Sequence, residues 1–182
     1  MRRAAALLLL ALPLAGLAAG VAEYVRLPGG SFRTALKYED RKGAPVRVAP
    51  FELMKTPVTN AQFLAFVQKH PEWRRDRVAR SMADARYLGH WHTPSSLDAT
   101  QAQQPATQVS WFAAEAYCEA QGARLPTWSE WEYAAAADET RRDARNDPAW
   151  RERILAWYSR PSDSALPRAG LQAPNAYGVQ DL

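Results

Sequence analysis

The sequence predicts an α+β domain of short, mostly antiparallel strands, a few helices and much irregular loop. Short alternating apolar runs separated by turn residues occupy the segment 23–55, a pattern typical of small antiparallel sheets. Helix-capping motifs begin at positions 59, 110 and 127. With 7 Trp and 13 Pro among 182 residues, the chain is expected to depend on aromatic anchors between loops rather than on a regular helical bundle.

The N-terminal segment has the order of a secretory signal peptide. Arg2 and Arg3 precede an uncharged, Leu/Ala-rich run at 4–17, and small residues follow that run. The run is shorter than the roughly 20 apolar residues of a membrane-spanning helix, which disfavours a membrane anchor. We therefore predict a signal peptide at 1–22, a domain at 23–182, and a secreted or periplasmic protein with no membrane contact after cleavage.

Charge and cysteine content narrow the function classes. The formal net charge is +4, and basic residues are interspersed with acidic ones, as between Arg141 and Arg153. Such mixing does not make a phosphate-binding stripe, so nucleic acid is not an expected partner. The single cysteine, Cys118, cannot form a disulfide within the chain. It is either simply buried or paired with a cysteine on sequence beyond this chain.

Three strands are predicted before the first helix, at Tyr24–Leu27, Val46–Val48 and Phe51–Met54. The stretch Pro28–Ser31 holds a proline followed by two glycines, which predicts a turn. The charged segment Lys37–Ala44 is predicted to be an exposed loop.

The first helix is predicted to begin at Thr59. Thr59 and Gln62 form a capping box, in which each side chain accepts a hydrogen bond from a free backbone N–H of the other residue. Val58 and Phe63 are spaced as a hydrophobic staple across this box. Pro71 is predicted to end the helix.

Residues 72–108 lack periodicity and are predicted to form a long surface loop with short extended pieces. Within this loop, His90 and His92 flank Trp91. On an extended strand the two imidazoles would point the same way and could share a metal ion. Because no third ligand is evident, ordinary packing is the favoured interpretation and no metal site is predicted.

A second helix is predicted to begin at the cap Ser110 and to end at Gly122, a residue that suits a helix C-terminus. Its predicted apolar face comprises Phe112, Ala113, Ala116, Tyr117 and Ala120.

A third helix is predicted from the capping box of Thr127 and Glu130 to Ala137, with Pro126 and Trp131 as its staple. A fourth is predicted to begin at the pair Asp147-Pro148, and one of its faces would carry Trp150, Ile154 and Trp157.

Residues 109–118 and 122–135 strongly resemble the signature of the formylglycine-generating enzymes, also called the sulfatase-modifying factor family. The shared features are a Val-Ser-Trp opening, an Ala-rich helix that ends in Tyr-Cys, then Arg-Leu-Pro-Thr and Glu-Trp-Glu-Tyr-Ala-Ala. Trp128 departs from the Glu that is common in the family. The matching signature positions are Ser110, Trp111, Tyr117, Cys118, Arg124, Pro126, Thr127, Glu130 and Trp131.

Other parts of the chain agree with the same family in order and spacing. Residues 27–32 resemble its opening strand and turn, 51–63 its first helix entry, and 174–182 its Asn-x-x-Gly-x-x-Asp-Leu segment. The stretch 89–94 resembles a segment near the family's substrate groove. The resemblance therefore runs from about residue 24 to 182, and it makes His90, Trp91 and His92 candidates for a groove wall.

Capping and aromatic burial also explain most signature residues without a ligand. Arg124 is placed to pair with Glu130, with Glu132 or with a carbonyl. The aromatic residues of the signature are predicted to belong to the core, namely Trp111, Tyr117, Trp131 and Tyr133.

The resemblance implies a variant of the C-type lectin fold and a copper- and oxygen-dependent oxidation that converts a target cysteine into formylglycine. The catalytic cysteine pair of the family lies in a later region, which this chain does not contain. Cys118 matches a structural cysteine of the family, so no catalytic residue is assigned. The resemblance also implies that the fold is incomplete at the C-terminus, which would leave apolar surface on Trp111, Trp131 and Trp157 uncovered.

The sequence thus predicts an exported protein of this family, which in its full-length form matures a partner protein or metabolite by oxidation. No cofactor is expected in this chain, whereas copper and calcium are expected in a longer form. The alternative is a non-catalytic, C-type-lectin-like binding or accessory module of the periplasm. The expected partner is a protein substrate or a periplasmic enzyme.

Overall fold

The computed structural model describes residues 22–35, 44–159, 161 and 166–182. The predicted signal peptide, apart from its last residue, lies outside the described residues. The same holds for the predicted loop Lys37–Ala44, apart from Ala44.

Two small antiparallel sheets confirm the predicted strands. β1 (Tyr24–Leu27) pairs with β4 (Phe51–Met54). β2 (Gly30–Phe32) pairs with β3 (Val46–Val48). The chain is therefore α+β, as predicted, with local strand pairs in place of a broad sheet.

The predicted turn at Pro28–Ser31 is shorter than expected, because Gly30 and Ser31 already belong to β2. Gly29 makes the turn with a positive φ of 68°. A Cβ at this position would lie 2.5 Å from the carbonyl oxygen of Val48, so only glycine fits here. The close approach of the two backbones lets β2 begin one residue after the turn.

All four predicted helices form, and each begins at its predicted cap: α1 (Asn60–Lys69), α2 (Trp111–Ala120), α3 (Trp128–Ala135) and α4 (Pro148–Tyr158). The cap side chains that accept backbone hydrogen bonds are Thr59, Ser110, Thr127 and Asp147, and both predicted capping boxes are present.

α3 ends before the predicted Ala137, with Ala136 as its C-cap. The Asp138 carboxylate accepts hydrogen bonds from the backbone N–H groups of Thr140 and Arg141. This side-chain-to-backbone turn competes with the helical pattern and takes the chain away from the helix axis.

The prediction of a surface loop at 72–108 is correct about irregular structure and wrong about exposure. The segment contains short 3-10 turns at Pro71–Trp73 and Ala99–Gln101 and isolated β-bridges at Thr93, Ser96 and Pro105. Its side chains Tyr87, Leu88 and Trp91 are nevertheless at most 3% exposed. They are buried because they pack with side chains of α1 and α2 in one core cluster.

The buried residues form two clusters. The first lies between α1, α2 and the irregular segment and contains Phe63, Leu64, Phe66, Val67, Tyr87, Leu88, Trp91, Ala113 and Tyr117. The second joins the sheets to α3 and to the C-terminal segment and contains Leu27, Phe32, Val48, Tyr133, Ala134 and Val179.

The aromatic core predicted for the signature is half right. Tyr117 and Tyr133 are buried, at 4% and 9% exposure, but Trp111 and Trp131 are 60% and 41% exposed. Phe112, assigned to the apolar face of α2, is also exposed, because α2 buries only the side that carries Ala113 and Tyr117. The expectation that Trp111, Trp131 and Trp157 are uncovered is met, since Trp157 is 60% exposed.

The C-terminal segment is clamped onto α3 by Asn175. The Asn175 amide nitrogen donates to the carbonyl of Ala134 at 2.9 Å. Its amide oxygen accepts from the backbone N–H groups of Tyr177 and Val179, at 3.0 and 3.1 Å. One side chain thus shapes a turn and ties it to a helix.

In the described part of the chain, no helix has the length and apolar character needed to cross a membrane.

Replacing Asn175 by alanine is expected to lower the free energy of unfolding by about 1–3 kcal/mol, because three partly buried partners lose their hydrogen bonds. Urea unfolding followed by circular dichroism measures this loss. The exposed Asn146→Ala is the matched control and should change the free energy by no more than about 0.5 kcal/mol. Equal losses in the two variants would contradict the role given to Asn175.

Candidate functional site

The groove candidates His90, Trp91 and His92 do not share one face. They lie in a turn rather than on a strand. Trp91 is 3% exposed and belongs to the first core cluster, His90 is partly buried, and His92 is exposed. Among the described residues, no group of three or more His, Cys, Asp or Glu side chains could hold a metal ion.

Asn60, which was not among the predicted site residues, organises this region. Its side chain is 1% exposed. The amide oxygen accepts from the indole Nε1 of Trp91 at 3.1 Å and lies 3.3 Å from Nε2 of His90. The amide nitrogen donates to the carbonyl of Gln101 at 3.1 Å. A polar residue just inside the helix gives no signal in the sequence that its partners lie tens of residues away.

Arg75 holds the turn from the other side. Its Nη1 donates to the carbonyls of Leu88 and Trp91, at 2.9 and 3.3 Å. Leu88 and Gln108 both adopt positive φ, at 48° and 53°, and the Leu88 N–H donates to the Gln108 carbonyl at 2.8 Å. Left-handed backbone at non-glycine residues costs free energy, so the surrounding contacts must fix this turn.

Burial lowers the pKa of His90, and the nearby positive charge of Arg75 lowers it further. The Gln108 side chain opposes part of this shift. Even so, Nδ1 of the ring is buried without a partner in hydrogen-bond geometry. The neutral imidazole is therefore the favoured form at this position.

Arg124 pairs with Glu130 and not with Glu132. It also donates to a carbonyl, that of Leu125, at 3.0 Å. Two guanidinium nitrogens of Arg124 donate to the two Glu130 oxygens, at 2.8 and 2.6 Å. Glu130 also accepts from the backbone N–H of Thr127 at 2.8 Å, as the capping box requires. Arg124, followed by Thr127, lowers the pKa of Glu130 to about 2. Pro126 lies partly buried directly before this cap.

Cys118 lies on α2 and is half-buried. Burial, followed by the nearby Glu115 carboxylate, raises the pKa of its thiol. The phenols of Tyr24 and Tyr117 lie close enough to interact with it. The thiol form is favoured at neutral pH, and because the thiolate is the nucleophile, Cys118 is poorly suited to nucleophilic chemistry.

The sequence matches the model of one protein family, the sulfatase-modifying factor enzyme 1-like domain, over residues 15–182. The chain belongs to the sulfatase-modifying factor family. The stretches that predicted this relationship include the capped, ion-paired start of α3, within 122–135, and the Asn175 clamp, within 174–182.

Members of the sulfatase-modifying factor family with different names resemble the chain. It is 32% identical to a formylglycine-generating enzyme of Streptomyces coelicolor, over 85% of the chain and 64% of that protein. It is 31% identical to the inactive C-alpha-formylglycine-generating enzyme 2 of Bos taurus, over 61% and 48%. It is 28% identical to a hercynine oxygenase of Mycolicibacterium smegmatis, over 80% and 37%. The chain thus spans less than two thirds of the length of these relatives.

The departure of Trp128 from the sulfatase-modifying factor signature has a structural role here. Its indole Nε1 donates to Glu132 at 3.2 Å, one helical turn away. The buried Glu132 carboxylate also accepts from the hydroxyl of Thr34 and the N–H of Ala35, and Arg145 lies 3.4 Å from it. Glu132 therefore ties α3 to the chain that follows β2.

The described residues do not fit a copper site of the kind that the family implies. Copper(I) prefers soft thiolate ligands. The chain contains one cysteine, and its thiol has a raised pKa. Calcium requires six to eight oxygen ligands, and clustered carboxylates that could supply them do not occur in the described ranges.

Replacing Glu130 by glutamine separates charge from capping, because Gln at this position preserves the capping box. The folded state holds the pKa of Glu130 below its usual value, so the charge stabilises the protein above about pH 4.5 and the contribution disappears as the pH falls toward 2. Glu130→Gln should cost about 1 kcal/mol at pH 7, since the largely exposed Arg124 is screened by water. Its stability should also fall less steeply between pH 5 and 2.5.

Urea unfolding across this pH range measures both effects. The exposed Glu119→Gln removes the same charge without an ion pair and should keep the wild-type pH profile. A Glu130→Gln profile parallel to the wild type would show that the pair contributes no pH-dependent stability.

Proposed function

We propose that the protein is an exported, formylglycine-generating-enzyme-like factor that oxidatively matures a partner protein or metabolite. In this proposal the described residues form the scaffold of its domain and Cys118 is not the reacting thiol. The observation that carries it is the family match over 15–182 together with a single cysteine whose raised pKa disfavours the thiolate.

The proposal has three finer features. We infer that the α+β fold is a variant of the C-type lectin fold, as in the family. Any copper or calcium would be held by residues outside the described part, since the described part offers no suitable ligand set. His90, Trp91 and His92 remain candidates for a groove wall, of which the exposed His92 is the most accessible to a substrate.

The second candidate is a non-catalytic binding or accessory module. The lone cysteine favours it, and so does similarity to a relative that is named inactive. The two candidates differ in one measurable respect, which is consumption of oxygen in the presence of a thiol substrate.

Oxygen uptake with a cysteine-containing peptide and copper(I) distinguishes the candidates. In this proposal the reacting thiol belongs to the full-length form. The full-length protein from its native host should therefore consume oxygen and convert the peptide thiol to an aldehyde, detected by mass spectrometry. The 182-residue chain alone and its Cys118→Ala variant should both be inert. An inert native protein would favour the binding module, whereas activity of the chain that is lost in Cys118→Ala would overturn the scaffold assignment.

Export is tested separately with substitutions in the predicted signal peptide. Leu9→Arg places a charge in the apolar run and should block export, leaving uncleaved protein in the cytoplasm. Leu171→Arg, at an exposed position of the domain, is the matched control and should be exported normally. Fractionation with N-terminal sequencing gives the result, and a wild-type chain that keeps residues 1–22 would contradict cleavage.

A further inference from the structure

The hydrogen bonds of Asn60 determine which ring nitrogen of His90 carries the proton. The Trp91 indole can only donate, so the Asn60 atom that it contacts is the amide oxygen. The Asn60 amide nitrogen is used separately, toward the Gln101 carbonyl. His90 Nε2, 3.3 Å from the same amide oxygen, must therefore be the protonated nitrogen of the neutral ring.

The other ring nitrogen, Nδ1, is then unprotonated and buried. Nδ1 of His90 is buried and has no partner in hydrogen-bond geometry. A proton there would create a cation beside Arg75. The guanidinium of Arg75 donates to the carbonyls of Leu88 and Trp91, which precede and follow His90 in the sequence. The ring also faces two neutral amides, Asn60 on α1 and the Gln108 side chain, and the latter offsets part of the lowering of the His90 pKa.

Residues 74–98, which we call the loop segment, pack against α1 through buried side chains, and the His90 ring adds one of the two side-chain hydrogen bonds that the segment makes to Asn60. The other comes from the Trp91 indole, bonded to the same Asn60 oxygen. The Gln101 side chain adds a long contact of 3.5 Å to the His90 carbonyl. Losing the ring would therefore loosen the loop segment at its turn while the buried Trp91 remains an anchor.

We propose that His90 is an acid-operated latch, which as the neutral Nε2–H tautomer ties the loop segment to the N-terminus of α1 and is released when Nδ1 gains a proton. In the released state the ring is solvated and regains an ordinary pKa of about 6.5. The latched state lowers the pKa of His90, so it binds fewer protons than the released state and becomes less populated as the pH falls below that value. The fold thus contains a local opening that responds to pH.

Ring nitrogen NMR on the full chain tests the latch directly. The reference is the ordinary imidazole pKa of about 6.5. His90 should show the Nε2–H tautomer at pH 7.5 and titrate below that value. The Trp91 indole N–H resonance should shift with the same midpoint as the His90 ring.

Two variants separate the latch from general acid sensitivity. His90→Gln places an amide N–H where Nε2 stood but cannot gain a proton, so the Trp91 indole signal should become constant between pH 7.5 and 5. His92→Gln, two residues away and exposed, should keep the wild-type response.

Three results would overturn the proposal: an Nδ1–H tautomer, a His90 midpoint at or above the ordinary imidazole value of about 6.5, or a wild-type indole response in His90→Gln. If His90→Gln does not fold, the ring NMR of the wild-type chain decides by itself.

Discussion

The buried amide of Asn60 is the constraint on which the first core cluster depends. An amide removed from water without hydrogen bonds costs several kcal/mol, so its partners must be in place whenever the core is closed. Those partners are Trp91 and the Gln101 carbonyl, 31 and 41 residues further along the chain. The same helix start also donates its Asn60 and Ala61 N–H groups to the carbonyls of Gln104 and Ala102. One helix N-terminus therefore holds two segments that contain no α-helix or named β-strand.

Interactions between residues close in the sequence could be predicted, and interactions between distant residues could not. Caps such as Thr59 and Thr127 operate across three residues, so their motifs appear in the sequence and their helices begin where expected. The side-chain contacts of Asn60 act across 30 to 41 residues and leave no local pattern. The aromatic predictions failed for a related reason. Apolar character tells that Trp111 and Trp131 are able to pack, but it does not tell what they pack against.

The family signature specifies scaffold more than chemistry. Arg124, Thr127 and Glu130 complete one another's hydrogen bonds at the start of α3, and Asn175 clamps the later segment onto the same helix. Such contacts are compatible with many reactions, because function depends on a site placed on the fold and not on the fold itself. This is consistent with the similarity of one chain to proteins named as a formylglycine-generating enzyme, an inactive C-alpha-formylglycine-generating enzyme 2 and a hercynine oxygenase.

The two core clusters differ in the length of chain that each must gather. The first spans residues 63–117, whereas the second brings Leu27 together with Val179, and Tyr133 donates to the carbonyl of Gly29 across 104 residues. Closing a longer loop costs more chain entropy, and contacts distant in sequence form more slowly. Because the chain is synthesised from its N-terminus, the α1–α2 core can form early. The strand pairs lie within residues 24–54, but their apolar side chains are covered only when Tyr133 and Val179 are in place, so the second cluster closes after the first.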